Sequence, residues 1–346
     1  MKLGILFGPG SGDGGSIRGE KLLAQRLEGQ SVAVCEGLFG GSGRPGDSGG
    51  SKDSRGSGTP ALWERLAVAS SGSPSGYVEE LRAAVAALSA WGAELLVCVG
   101  GDGLASYAAD AMLAGLRPMP LLGVAAGTIN VGPIVTLGLD GIADLDPEKL
   151  RTEKVGAVEV SVDGVHLAYG FNDIVIGDTF LGMVDGAAKS LSVRTMLESG
   201  RKREASPSPD IVGSAFAVRK NGAGIDSGMR RPAQIIVSPL GKREFFARAI
   251  AGILCDAAYM KGAAAVALFD SVIVRAGSPE RGIFDFSATE QLLFGPGDCV
   301  EISGLAAAGQ IVVDGNPFAR SGDRVRFRSI PDLVDVARLH HFGMEA

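Results

Sequence analysis

The stretch from residue 95 to 103, LLVCVGGDG, constrains this chain most. A run of apolar residues long enough for a buried strand breaks into Gly100-Gly101-Asp102-Gly103, and a helical pattern follows. Glycines lack a Cβ, so their backbone N–H groups can come close to an anion, and a helix starting there adds the positive end of its dipole. Asp102 brings a carboxylate to the same place. Such a carboxylate can orient a metal ion or take a proton from an attacking hydroxyl, two tasks that phosphoryl transfer requires. A tight strand-to-helix turn with an Asp at the helix start accounts for these four residues equally well, so the other loops carry the decision.

With 346 residues, 46% of them hydrophobic, the chain can build two domains with cores of their own. The formal net charge of −6 leaves no basic footprint. That argues against nucleic-acid binding and stable membrane association, and an anionic substrate then needs local positive groups. Cys35, Cys98, Cys255 and Cys299 are scattered without a CxxC spacing, as reduced thiols are. The longest apolar region, near 249–274, is interrupted by Asp256, Lys261 and Asp270, and the opening LGILF is too short for a secretory core. A cytoplasmic protein is expected.

The first part alternates KLGILF, a glycine-rich loop, a helical stretch over 17–27 and SVAVCEGLF. This order predicts a parallel, Rossmann-like α/β sheet in a nucleotide-binding domain over 1–150. Residues 40–59 hold eight glycines and five serines in twenty positions, the composition of a mobile surface insertion. In YVEELRAAVAALSAW, Val78, Leu81, Val85 and Leu88 share one helical face, and a third strand-helix unit is expected at PLLGVAAGTINVGPIV. From about residue 155 the texture changes to short strands. GAVEVSV and VHLAYGFNDIVIG flank Asp163-Gly164, a type I′ hairpin signal, and AQIIVSP, ALFDSVIVRA, DCVEISG, QIVVDG and RVRFRS follow. These make a β-rich, sandwich-like domain over 151–325, with helices expected over 179–199 and 244–259. The tail 326–346, containing DLVDVARLHHF, is expected to close as a short helix on the N-terminal domain.

Three glycine-rich loops leave the C-terminal ends of three expected parallel strands, the edge where open α/β sheets bind ligands. In the first, Gly8 to Gly15, the residues Gly10, Gly12 and Gly15 spell GxGxxG, and Glu36 ends the next strand, where a dinucleotide-binding fold places a ribose carboxylate. That oxidoreductase reading leaves GGDG and the β-rich half unexplained, and a plain flexible loop is its alternative. The third loop supplies Gly127, the Thr128 hydroxyl and the Asn130 amide, which would complete a phosphate cradle beside GGDG. Turn chemistry alone also explains Gly127 and Asn130.

Taken in order, VCVGGDG, PLLGVAAGTINVGP, GFNDIVIG and QIVVDGNPFARSGDRVRF resemble the landmarks of the NAD kinase and diacylglycerol kinase-like superfamily. FGPGSGDGG is similar to the NPxSGxG loop of its lipid-kinase branch, with Gly8 in place of Asn. The GTINVGP wording most resembles the ATP-NAD kinase-like proteins associated with acetoin catabolism. The resemblance spans most of the chain and implies an α/β domain, a β-rich domain and an active site between them. Carried over by position, it implies Asp102 as the catalytic carboxylate. Gly10, Ser11, Gly12, Gly100, Gly101 and Gly103 would lie against phosphates, and Gly127, Thr128 and Asn130 would hold the nucleotide. Asn172 and Asp173 would contact the adenosine part of the acceptor, a role that suits Asp173 because a carboxylate can accept two hydrogen bonds from a ribose diol. Asp314 and Gly315 match the family's late Asp-Gly turn and would bind substrate; without the resemblance, a hairpin turn explains these two and strand-end polarity explains Asn172 and Asp173. The resemblance also implies ATP or polyphosphate as donor, Mg2+ without a dedicated protein cage, a small nucleotide-like acceptor such as NAD, and a homo-oligomer.

Two departures keep other readings open. Leu104 stands where the family's GGDGT has Thr, which removes a hydroxyl, and the TPTGSTAY-type segment has only GSAFAVRKNGAG in its place. A lipid kinase and a non-catalytic nucleotide-binding or regulatory protein are the alternatives. Arg194, Arg219, Lys220, Arg230 and Arg231 are the candidate cationic helpers.

Overall fold

The computed structural model describes the chain except for residues 10–14, 38, 41–62, 69–75, 116, 127–131, 185–186, 241–261, 278–287 and 340–346. Two compact units emerge: Met1–Asn130, Ile134–Lys154 and Val334–Ala346 form the first, and Val131–Pro133 with Val155–Leu333 the second. The 40–59 insertion, apart from Gly40, and the helix expected over 244–259 lie outside the described residues.

The first unit contains β1 (Lys2–Phe7), α1 (Gly15–Arg26), β2 (Ser31–Cys35), β3 (Glu64–Leu66), α2 (Tyr77–Trp91), β4 (Leu95–Gly100), α3 (Asp102–Leu113), β5 (Leu121–Ala125) and β6 (Val135–Gly138). The strands run parallel in the order β5-β4-β1-β2-β3, with β6 beside β5. Central strand β4 is buried at every position, which is why its sequence shows a continuous apolar run instead of alternation. α2 buries Leu81, Ala84, Val85 and Leu88, the i, i+3, i+4, i+7 stripe of a helix laid on a sheet. It stops at Gly92 (φ 94°), where the Gly92 and Ala93 N–H groups donate back to the Ser89 and Leu88 carbonyls, a glycine-ended cap.

The second unit contains β7 (Arg151–Val162, from Val155 onward), β8 (Val165–Gly170), β9 (Ile174–Gly177), β10 (Thr179–Val184), β11 (Ala187–Ser192), α4 (Val193–Ser199), β12 (Val212–Lys220), β13 (Ala223–Ile225), β14 (Gln234–Pro239), β15 (Ala264–Phe269), β16 (Thr289–Phe294), β17 (Cys299–Leu305), β18 (Gln310–Val313), β19 (Asn316–Phe318) and most of β20 (Val325–Arg338). One antiparallel sheet has the order β16-β15-β14-β9-β18-β19, and β13-β12-β17-β20 with β7 and β8 supply a second layer. Ile174, Ile176, Ile235, Val237, Val300, Ile302 and Phe327 share one core. Val175, Ile236 and Val312 face the opposite way, into a core with Phe180, Leu191 and Val193. The strict alternation within β9 and β14 thus feeds two apolar layers.

The Asp163-Gly164 turn has the paired positive φ values, 48° and 85°, of a type I′ hairpin between β7 and β8. Other expectations need correction. Residues 179–199 are not one helix but the β10–β11 hairpin followed by the short α4. Phe180 pairs across the hairpin with Leu191, and Thr179, Gly182 and Val184 are poor helix formers, so cross-strand burial wins over helical periodicity. α4 begins only where the Ser192 hydroxyl caps the Thr195 N–H at 3.1 Å. The strand expected through ALFDSVIVRA stops at Phe269, and the N–H groups of Ile273 and Val274 donate instead to Gln234 Oε1, each at 2.9 Å. GSAFAVRKNGAG is a strand hairpin, β12–β13, turning at Asn221 (φ 52°) and Gly222 (φ 83°). Of the third strand-helix unit, strand β5 is present and is followed by β6, itself parallel to β5, while residues 127–131 between them lie outside the described residues. Finally, DLVDVAR is the end of strand β20 and not a helix. Its last turns of chain belong to the first unit, where Val336 pairs in parallel with Leu121 of β5 and the Ala337 carbonyl accepts from the Thr136 hydroxyl at 2.9 Å.

Candidate active site

In the first unit, β1, β4 and β5 end level with one another. Phe7 pairs with Val99, Val99 with Val124 and Gly100 with Ala125. The chain leaves each strand along its neighbour: the Gly8 N–H donates to the Val99 carbonyl at 2.8 Å, and the Ala126 N–H to the Gly100 carbonyl at 3.0 Å. The three departing loops therefore start from one strip of sheet edge. α1 opens beside the third of them, since a Cβ on Gly15 would run into the Ala126 carbonyl oxygen. Glycine is what permits that approach. Ser16 Oγ, in the same first turn, donates to the Gly8 carbonyl at 3.0 Å.

Gly100 ends β4, Gly101 is the extended residue before α3 (φ −101°, ψ 178°), and Asp102 and Gly103 begin the helix. Asp102 is only 8% exposed, in a first turn whose N–H groups and dipole favour a carboxylate. Leu104 is buried as well, and its Cδ2 lies 2.9 Å from where a Gly100 Cβ would sit and 3.6 Å from the same point on Gly8. The Leu104 side chain is therefore apolar packing against both loops. Burial pushes the Cys35 thiol up to about 12 and the Cys98 thiol higher still, which leaves both protonated and unreactive. Gly10, Ser11, Gly12, Gly127, Thr128 and Asn130 lie outside the described residues.

Asn172, Asp173, Asp314 and Gly315 come together in the second unit. Asp314 and Gly315 form the two-residue turn between β18 and β19, with φ of 47° and 79°. The Asp314 carboxylate points back to the segment ahead of β9. Oδ2 accepts from the Phe171 N–H at 2.9 Å, and Oδ1 accepts from Asn172 at 2.8 Å and Asp173 at 3.0 Å. The Asp314 N–H in turn donates to the Asp173 carbonyl at 2.9 Å. On the other flank Ser238, fully buried at the end of β14, donates from Oγ to the Asn172 carbonyl at 2.7 Å. Sequence reasoning missed Ser238; a hydroxyl within the apolar run QIIVSP was the available signal.

Of the five candidate cations, four are engaged in ion pairs within the second unit. Arg219 meets Glu301 at 3.4 Å, Lys220 meets Asp298 at 2.9 Å, Arg230 meets Asp226 at 2.5 Å and Arg231 meets Asp210 at 3.4 Å. Arg194 is exposed on α4. Arg219 and Arg230 also line a concavity with Phe216, Ile225, Ser227 and Met229, which involves β12 and β13, whereas the Asn172–Asp314 cluster belongs to the sheet of β9 and β18.

No protein-family model matches this chain, and no curated protein matches it in sequence. Solved structures do. Yeast NADH kinase, in a crystal structure with NADH, aligns over 99% of this chain and 84% of its own, with a TM-score of 0.51 at 12% identity. A candidate diacylglycerol kinase of Bacillus anthracis aligns over 97% of each chain, with a TM-score of 0.51 at 12% identity. The chain has the fold of the NAD kinase and diacylglycerol kinase-like proteins, a parallel α/β region joined to an antiparallel β-rich one, as the order of its motifs implied.

Proposed function

We propose that the chain is a phosphotransferase that moves the terminal phosphoryl group of ATP to a hydroxyl of NAD or a related small, nucleotide-like acceptor. One observation carries this reading: the ends of β1, β4 and β5 form a single strip, and at its centre α3 opens on the buried carboxylate of Asp102. The likeness to a kinase solved with NADH supports it. Gly100, Gly101 and Gly103, with the glycine loops after β1 and β5, would take the donor phosphates against backbone N–H groups. Asp102 would accept the proton of the acceptor hydroxyl as its oxygen attacks the terminal phosphorus, while the bond to the bridging oxygen breaks and ADP departs. Holding the two substrates in line supplies most of the acceleration in such chemistry.

The residues present fit a cation that arrives with the donor. Among the described residues no group of three or more His, Cys, Asp or Glu could hold a metal, and Mg2+ is commonly held by one or two carboxylates plus substrate phosphates. Asp102 could orient it. Bound there, Mg2+ neutralises charge on the phosphate oxygens. Asn172 and Asp173 would contact the nucleoside part of the acceptor. This reading also takes the acetoin-associated proteins as the relevant branch, the cytoplasm as the location and a homo-oligomer as the working state.

The test is incubation with γ-labelled ATP or polyphosphate, Mg2+ and a panel of NAD, NADH, nucleosides and sugars, with Asp102→Asn as control. A labelled nucleotide product made by the wild type and not by the variant is expected. The absence of transfer to every nucleotide overturns the proposal. A lipid kinase is the second reading, because the Bacillus anthracis protein aligns over 97% of both chains. Vesicles containing diacylglycerol belong in the same panel, and label in phosphatidic acid but not in any nucleotide selects it.

A further inference from the structure

Segment 171–173 is held more firmly than a strand entrance requires. Three consecutive N–H groups converge on one carboxylate, which is 5% exposed. Successive N–H groups arranged in this way form an anion nest, and here the chain fills it with its own acid. The β18–β19 turn does not demand that acid: a two-residue turn with positive φ at both positions is served as well by Asn-Gly, and burying a carboxylate is costly unless donors meet it. Ser238 fixes the same segment from the opposite flank through the Asn172 carbonyl. β9 lies between β14 and β18, so its entrance is gripped from both neighbours. Asn172 itself is 6% exposed, and its Oδ1 has no hydrogen-bond partner among the described residues. A buried acceptor of this kind is a place for a ligand's donor.

We propose that Asp314 and Ser238 are positioning residues, which grip the 171–173 backbone from two strands and so aim the Asn172 and Asp173 side chains at the acceptor. This rests on the kinase reading above. Asp314 thereby acts through its neighbours and not by touching the substrate.

The experiment uses Asp314→Asn and Ser238→Ala in the full chain. Asn keeps the turn but turns one acceptor oxygen into an amide NH2, a donor facing N–H donors; Ala removes a single oxygen and stands in should the first variant fail to fold. Amide hydrogen exchange at 171–173 is expected to rise about tenfold or more in either variant. Initial rates with NAD and ATP varied separately are expected to show an acceptor KM up about tenfold with the ATP KM within about twofold. An active wild type whose variants raise neither KM, or both alike, overturns the positioning role while the kinase reading stands. A wild type that neither phosphorylates nor binds NAD or any nucleoside of the panel overturns the kinase reading and this role with it.

Discussion

The two units solve the problem of presenting polar groups in opposite ways. At the edge of the parallel sheet, the first unit builds with backbone: Gly8, Gly15 and Gly100 bring main chains together, and one buried acidic side chain, Asp102, opens α3. The second unit builds with side chains, and spends them: Asp314 is committed to three N–H groups and Ser238 to a carbonyl. Parallel strands that end level expose N–H groups and helix starts without further help. Antiparallel strands leave no such terminus, so a segment between them needs side-chain hydrogen bonds to hold its posture.

If that contrast is right, substitutions in the first unit should strike catalysis and those in the second should strike geometry. Asp102→Asn should lower kcat by about 10^3-fold while the melting temperature stays within a few degrees, and an unchanged rate removes Asp102 from its role. Gly15→Val should be felt both ways. The new Cβ meets backbone at Ala126, so a loss of about 1–3 kcal/mol in denaturant unfolding is expected, together with weaker ATP binding; wild-type stability would show that the α1 entrance yields. Ser238→Ala should lower stability by about 1–3 kcal/mol, because the buried Asn172 carbonyl loses its hydroxyl donor, and an unchanged midpoint would deny that grip. The smallest effect concerns Asp298. The Gly295 N–H first, then the Asn221 amide and the Lys220 ammonium, hold its carboxyl from an ordinary 3.8 down to about 2. A depressed folded pKa means the contribution is complete above the unfolded value and is lost as pH falls through about 2. Acid unfolding of Asp298→Asn should therefore show a shallower limb between those values, and superimposable curves would discount the cluster.

Much of the first unit was legible because its signals are local. α2 occupies YVEELRAAVAALSAW from end to end, and the break at Gly100 lies where LLVCVGGDG places it. What escaped is non-local. The bonds that commit Asp314 join residues 141 to 143 positions apart, so its sequence neighbourhood reveals a turn and nothing of the nest. DLVDVAR carries apolar residues compatible with a helix, and pairing with β7 and with Leu121 of β5, both far upstream, makes it a strand. Residues 179–192 likewise satisfy both periodicities until Phe180 finds Leu191.

Strand β20 begins in the second unit and finishes in the first. β5 emerges from the ribosome roughly 200 residues before the partner that Val336 brings to its side. β6 pairs with β5 from Gly123 to Ala125 soon after both are made, so only the Leu121 end of β5 waits for its partner while the β-rich portion is made, and pairing across such a separation is slow. Chains truncated before residue 334 should be more readily cleaved by protease around Leu121 than the full sequence, because the first unit takes its β20 strand only after the second has been made.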